Sequence, residues 1–494
     1  MAPLLVTPMR SRYCRLSGGA RAPTPARGEG PGSDRVARQG RNSPIDAASF
    51  TSELASLLPT FLAGQRWYSV VDRPRIDIRR VDTLVDQWPT LLWLLVEVRA
   101  HDGRGPSAWY QLPIGASPER PAHLPDAALL GRMPTPRGDA HLFDALADDA
   151  MSLAFAHHVA PDLHFHSVRP QGGEASNTSL VLDDRYILKV FRRVQPGPNP
   201  DVEVTEQLGK VGFGAVPVPV AVWRRNQTDL AVVRRYERSR GDGFELVTTS
   251  LREMFNLRRP PRDCKLDFAN DAHLLGRNVA ELHVALAEAF GADEADGDAW
   301  ASDMAAQLHR VAGGQLDTQR IEAIYDRLRS ADDLGSAIRI HGDLHLAQVL
   351  RLQRHWMVLD FEGEPARPLE ERRHPSSPLR DVAGMTRSFQ YAAAMALRQH
   401  DEPDRELRVL ADAWTVRNVN TFLAGYADVD EAHRLLPRAR ASRDALLSVF
   451  ELDKAVYEVA YELAHRPELV DLPVQAVERL LDGEDELPET GAEL

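Results

Sequence analysis

Between Ile338 and Glu364 the chain alternates short apolar runs with polar ones in a way that few folds accommodate. Ile338 and Ile340 lead into His341-Gly342-Asp343, and Gln348, Val349 and Leu350 lead out. Trp356 to Leu359 form a second apolar run that ends at Asp360. Each run is too short for a helix, so the stretch reads as strand, polar loop, strand. Gly342 lets the backbone turn sharply before Asp343. Gln348 brings an amide oxygen five residues after Asp343, and Asp360 emerges where a buried strand ends. Two carboxylates and an amide facing one point suit Mg²⁺, a hard cation. Phosphoryl transfer needs the same set: one Asp to orient an attacking hydroxyl, and an amide and a second Asp to hold metal on a triphosphate.

A triphosphate also needs cover and a positive charge. The chain has no Walker A motif and no Gly-x-Gly-x-x-Gly at a strand–helix junction, which disfavours P-loop and Rossmann enzymes. Instead Gly172-Gly-Glu-Ala-Ser-Asn-Thr-Ser179 lies between two expected strands. Its backbone amides and the hydroxyls of Ser176 and Thr178 are candidates to cover phosphates. The positive charge is expected from Lys189, in the middle of the strand Arg185–Phe191. Of the 59 basic residues only four are lysine (Lys189, Lys210, Lys265 and Lys454), so a retained lysine is enriched for work a planar guanidinium cannot do. A lysine in mid-strand is costly unless it is paired or faces a ligand. Glu203, opening a helix after Asn199-Pro200, is the expected partner, with Glu206 one turn on as its rival. A strand Lys paired with a helix Glu presents an ammonium to α- and β-phosphates. Residues 232–243 would form the hinge between lobes.

His-x-Asp, an amide five residues on and a following Asp-Phe resemble the catalytic and metal loops of protein-kinase-like folds. The His-Gly-Asp form is similar to the aminoglycoside and choline kinase branch. The longer string His341-Gly-Asp-Leu-His-Leu-Ala-Gln348, with Asp360-Phe-Glu-Gly-Glu-Pro365, resembles the maltokinase family, although Ala347 stands where Gly is usual. The resemblance spans roughly residues 49–485. It implies ATP and Mg²⁺ as cofactors, with Asp343 catalytic, Lys189, Glu203, Ser176 and Thr178 at the nucleotide, and Gln348 and Asp360 at the metal. It also implies transfer of the γ-phosphoryl group to maltose, giving maltose 1-phosphate for glycogen and α-glucan synthesis. Glucosamine or an aminoglycoside is the alternative acceptor for the same fold, and a non-catalytic pseudokinase is the second alternative. His345 either touches substrate or steadies the loop, and Asp381 in Arg380-Asp-Val-Ala-Gly384 is expected to brace it.

On a helix, Lys454, Tyr457, Glu458 and Tyr461 share one face. Tyrosines stack on pyranose rings, and Lys and Glu hydrogen-bond hydroxyls, so this face suits a neutral sugar. The string resembles the sugar-contacting helix of maltokinases. Gln65-Arg66-Trp67-Tyr68 resembles the start of their cap subdomain, with Tyr68 where Phe is commoner.

The expected fold class is α+β: a bilobal protein-kinase-like fold with an N-terminal cap subdomain and a mostly helical C-lobe. Residues 1–45 hold eight arginines and two acids without hydrophobic periodicity, so they read as a disordered tail. Residues 46–132 read as the cap, with a helix from Phe50 to Leu62 and strands at Ile76–Leu84, Thr90–Val98 and Ser107–Pro113. Residues 133–240 read as the nucleotide-binding N-lobe, and 241–494 as the helical C-lobe with the catalytic loop and sugar site. Clear helical periodicity marks Leu275–Phe290 and Asp444–His465. The histidines at 157, 158, 164 and 166 are split between a helix end and a strand start, which disfavours a metal site. A net charge of −13 argues against a nucleic-acid partner, and no apolar run is long enough to span a membrane. Two cysteines, Cys14 and Cys264, give no disulfide framework or zinc site, which points to the cytoplasm. A trehalose/maltose-interconverting enzyme is a candidate functional partner.

Overall fold

Strand Thr90–Arg99 explains the architecture of the first third of the chain. Its side chains alternate between two separate cores. Leu92, Leu94, Val96 and Val98 pack into one, and Leu91 and Trp93 into the other. A strand covered on both faces reads as an unbroken apolar run, as Leu91 to Val96 does. The computed structural model describes residues 51–68, 74–100, 107–135, 138–172, 177–311, 316–364, 367–400 and 403–483.

The first sheet contains β1 (Arg75–Val85), β2 (Thr90–Arg99), β3 (Ala108–Ser117), β4 (Leu129–Thr135) and β5 (Gly138–Asp144), in the order β1-β2-β3-β5-β4. Helix α1 (Thr51–Ala63) buries Leu54, Leu58, Phe61 and Leu62 against one face. Helix α2 (Asp149–Val159) buries Met151 and Phe155 against the other. The same core takes in a second antiparallel sheet of β6 (Val168–Pro170), β7 (Thr178–Leu182), β8 (Tyr186–Val190), β10 (Pro219–Arg225) and β11 (Thr228–Arg235), in the order β10-β11-β8-β7-β6. The short β9 (Arg193–Val194) pairs with β3 and joins the two sheets. Buried Gln111 seals the seam. Its amide donates to the carbonyls of Phe191 at 2.8 Å and Leu230 at 2.5 Å, and its oxygen accepts from the Trp93 indole at 2.9 Å. The expected division after residue 132 runs through the first sheet, because β5 pairs with both β3 and β4.

Helix α3 (Pro200–Lys210) follows the second sheet, capped by Asn199, whose side-chain oxygen accepts from the amides of Asp201 and Val202. The rest is mostly helical: α4 (Gly243–Leu257), α5 (Ala269–Phe290), α6 (Gly297–Val311), α7 (Thr318–Tyr325), α8 (Pro378–Arg398), α9 (Arg405–Ala427), α10 (Asp430–His433), α11 (Arg440–His465) and α12 (Asp471–Gly483). Four short strands interrupt it, paired as β12 (Ala292–Glu294) with β13 (Ser336–Ile338) and β14 (Val349–Arg351) with β15 (Trp356–Val358). The strand–loop–strand reading of 338–360 therefore holds, with the polar loop carried between β13 and β14. Among the described residues no helix is long and apolar enough to cross a membrane.

Candidate active site

The loop after β13 is held by backbone rather than by side-chain packing alone. Asp381, in the first turn of α8 and 1% exposed, accepts from the amides of His341 at 2.8 Å and Gly342 at 2.9 Å. His283 Nε2 meets the same carboxylate at 3.2 Å, and its Nδ1 meets the Tyr426 hydroxyl at 2.8 Å. Burial would raise the Asp381 pKa, but the His283 hydrogen bond and the amides outweigh it and hold the group below the usual carboxylate range. Gly342 has φ +82, a left-handed turn that glycine adopts without strain. His341 accepts from the Asp343 amide through Nδ1 at 3.3 Å, so its proton lies on Nε2, which donates to the Leu359 carbonyl at 2.7 Å. One imidazole thus fixes the spacing between Asp343 and the segment that presents Asp360.

Asp360 itself has φ +63, the one non-glycine residue of this loop region in the left-handed region. Its Oδ2 faces the Gln348 amide at 3.3 Å, and its Oδ1 is buried with no hydrogen-bond partner. The Lys189 ammonium lies 3.6 Å from Asp360, 3.4 Å from Glu362 and 3.8 Å from Asp201. Oxygens of Asp201, Asp360 and Glu362 all lie within 4.8 Å of one another. Burial pushes the Glu362 carboxyl up in spite of Lys189. A carboxylate cluster of this kind, with an orphaned buried oxygen and an amide beside it, fits a hard divalent cation.

The expected Lys189–Glu203 pairing is not formed. Lys189 faces Asp201, which is fully buried and also takes a 2.7 Å hydrogen bond from Arg234. Burial would raise Asp201, but Arg234 and Lys189 bring it down to about 2. Its Oδ1 faces the Phe361 amide at 3.3 Å, which ties α3 to the Asp360 segment. Two residues along a helix is a rotation of about 200°, so when Asp201 points inward Glu203 points away. Glu203 lies near Arg373 at 3.7 Å and Arg339 at 4.0 Å, and the rival Glu206 pairs with Arg224 at 2.8 Å. The signal for Asp201 was present in the Asn199 cap, which sets the helix register. Ser176 lies outside the described residues. The Thr178 hydroxyl departs from expectation too: it accepts from buried Arg192 Nε at 2.8 Å, and Arg192 in turn bonds Asp144 at 2.6 Å.

On the other side of the loop, Lys454 of α11 donates to Asp343 Oδ1 at 2.8 Å and to Glu364 at 3.0 Å. Its ammonium also lies 4.6 Å from the centre of the Tyr457 ring, which is 8% exposed. His345 Nε2 is 3.9 Å from Asp343 Oδ2, while its Nδ1 accepts from the Ala347 amide and caps the short turn Leu346–Gln348. Burial lowers the His345 pKa, leaving the ring neutral. Glu458 is a correction: its carboxylate meets Arg387 of α8 at 2.5 Å, in a nearly buried pair. Tyr461 is 42% exposed and stacks on His465 with ring centres 4.4 Å apart. Of the four residues expected on one sugar face, only Lys454 and Tyr457 border Asp343. Arg367 and Arg234 had no local motif to mark them, and Glu362 and Glu364, although inside the Asp360-Phe-Glu-Gly-Glu-Pro365 string, carry no expected role. A small gap among the loop, α8 and α11, too narrow for a sugar ring, is lined by Gly342, Asp343, Glu364, Arg380, Asp453 and Lys454.

Residues 61–148 match the family described as the maltokinase N-terminal cap domain. The chain is 28% identical over 332 residues to a glucosamine kinase of Mycolicibacterium smegmatis (strain ATCC 700084 / mc(2)155), covering 64% of this chain and 79% of the relative. It is 26% identical over 331 residues to a glucosamine kinase of Streptacidiphilus jiangxiensis, covering 62% and 72%. A solved glucosamine kinase in complex with glucosamine, ADP and inorganic phosphate superposes with a TM-score of 0.60 at 20% identity, over 83% of this chain and 96% of that one. The fold is therefore that of these kinases: antiparallel N-terminal sheets, a cap, and a helical C-terminal region.

Proposed function

We propose that this chain is an ATP-dependent sugar kinase and that its acceptor is maltose, giving maltose 1-phosphate. The observation that carries the reading is the position of Asp343. It lies on the loop that His341 ties to the segment carrying Asp360 and its ammonium–carboxylate cluster, a cluster fit for a metal-bound triphosphate. Asp343 Oδ2 is the oxygen left for an acceptor hydroxyl, since Oδ1 is taken by Lys454. The hydroxyl gives its proton to Asp343 as its oxygen bonds the γ-phosphorus, and the bond from that phosphorus to the bridging oxygen breaks to release ADP. Lys189 steadies the α- and β-phosphates. Asp360, with Gln348 and Glu362, would hold Mg²⁺, which offsets the charge of the β- and γ-phosphoryl oxygens when bound.

Maltose is favoured by the cap-domain match. In the cytoplasm a trehalose/maltose-interconverting enzyme would supply this acceptor, and enzymes of α-glucan synthesis would consume the product. The two glucosamine kinase relatives favour glucosamine as a second reading. Incubation with Mg-ATP and maltose, glucosamine or glucose, each followed by mass detection of the phosphorylated sugar, separates the two. A phosphorylated disaccharide formed at the highest kcat/KM supports maltose, and preferential phosphorylation of glucosamine overturns it.

A further inference from the structure

The residues behind Asp343 form a closed circuit of buried charge. Lys454 Nζ bonds Asp343 Oδ1 at 2.8 Å and Glu364 Oε1 at 3.0 Å. Glu364 Oε2 accepts from Arg367 Nε at 2.6 Å. Arg367 reaches Asp453 at 3.5 Å, and Asp453 precedes Lys454 on α11. The circuit leaves one helix, passes through the segment after Asp360 and returns to the same helix. Arg380 at 3.0 Å and Gln307 at 3.2 Å also fix Asp453. The Glu364, Arg367 and Asp453 side chains are 6%, 10% and 4% exposed, so water contributes little to holding them.

An ammonium has three N–H donors and no acceptor. Two from Lys454 go to carboxylates, and the Tyr457 ring covers another side at 4.6 Å. A sugar hydroxyl could reach this ammonium only by displacing one of these partners. We propose that Glu364 and Lys454 form a tie that positions Asp343, so that Lys454 acts through Asp343 rather than as a donor to the sugar. This rests on the reading of Asp343 as the group that orients the acceptor hydroxyl. Glu364 is then a positioning residue on the same segment as Asp360, four residues away. The tie links the loop that orients the acceptor to the segment that faces the metal.

Steady-state kinetics on the full chain, with Mg-ATP and whichever sugar it phosphorylates, test the tie. Glu364→Gln is expected to lower kcat on the order of 10²-fold, as a misplaced reacting group does, with the sugar KM within about twofold. In an Asp343→Asn background, adding Glu364→Gln or Lys454→Met is expected to lower kcat no further, because both act through Asp343. Further loss in that background, or a Lys454→Met variant with near-wild-type kcat and a sugar KM raised tenfold, overturns the proposal. A second measurement does not depend on turnover. With four lysines, the ¹⁵N resonance of the Lys454 ammonium can be assigned by its loss in Lys454→Met. It is expected to be protected from exchange and to shift in both Asp343→Asn and Glu364→Gln. If it shifts in neither, the tie does not exist. Should Glu364→Gln not fold, Asp343→Asn alone gives the same reading. If the wild type phosphorylates no sugar, the functional reading fails, while the resonance still decides the tie.

Discussion

Lys189 and Lys454 are both nearly buried ammoniums set among carboxylates, yet their surroundings differ in a way that separates a place for a ligand from a finished structure. Lys189 meets Asp201, Asp360 and Glu362 at 3.4 to 3.8 Å, and among the described residues a short guanidinium bond reaches this cluster only on Asp201, from Arg234 at 2.7 Å. Asp360 and Glu362 thus face Lys189 across loose distances, and an Asp360 oxygen is left without a hydrogen bond. Lys454 meets Asp343 and Glu364 at 2.8 and 3.0 Å, and Arg367 and Arg380 complete the neutralisation of Asp453 and Glu364. There three carboxylates face three cations at short range. Buried charge is tolerated when it is matched and hydrogen-bonded, and an excess of one sign calls for a counter-ion. The first cluster holds one carboxylate more than its bonded cations, and a divalent cation would offset it. The second needs nothing added.

The largest effects should come from Asp343 and Lys189. Asp343→Asn is expected to cut kcat on the order of 10²–10⁴-fold, the span of a positioned general base, while ATP binding measured by calorimetry persists. Near-wild-type turnover would remove Asp343 from the reaction. Lys189→Met should raise the KM for ATP by about one to two orders of magnitude and leave the sugar KM nearly unchanged, because its neighbours belong to the triphosphate side. An equal rise in both would erase the contrast between the two clusters.

A smaller effect sharpens the first cluster. Asp201→Asn should weaken ATP turnover by roughly tenfold, whereas Glu203→Gln should change it by less than about twofold, since only the former touches Lys189 and Arg234. The reverse order would restore the pairing that the sequence suggested. Choosing between acids two positions apart needs the helix phase, and that phase is set by the Asn199 cap and by which side of α3 meets β8. Propensity and spacing narrowed the partner to one turn of helix and could go no further.

The rest of the comparison with sequence follows the same division. Local signals placed what depends on local signals. The helix expected over 50–62, the strands expected at 76–84 and 90–98, Asp381 as a brace and the nearness of Gln348 to Asp360 all rest on periodicity, a glycine or a short polar loop. Fates decided by distant elements were not legible. Glu458 shares a helical face with Lys454, yet Arg387 on α8 claims it. Thr178 lies where a phosphate loop would end, yet Arg192, in the bend between β8 and β9, claims its hydroxyl. Residue 132 was expected to divide the cap from the N-lobe, yet β4 runs across it and β5 pairs with both β3 and β4. Charged side chains have long reach, so their partners are set by tertiary packing more than by sequence spacing.

A change in stability rather than in rate tests whether the second cluster is as balanced as its distances indicate. Glu364 titrates at about 2 in the folded protein against an ordinary 4.5, with burial outweighed by Lys454 and Arg367. A folded value below the unfolded one contributes stability above the unfolded pKa, and that contribution is lost as pH falls from about 4.5 towards 2. Glu364→Gln cannot take part in this loss. At pH 7 it should be less stable than wild type by on the order of 3 kcal/mol, the low end for removing one partner of a buried pair. Denaturant unfolding at pH 7, 4 and 3 should show that gap narrowing as the wild-type carboxylate gains its proton. A gap that stays constant over this range would mean that Glu364 is not held as an anion by Lys454 and Arg367, and that the short distances around Lys454 do not reflect a matched set of charges.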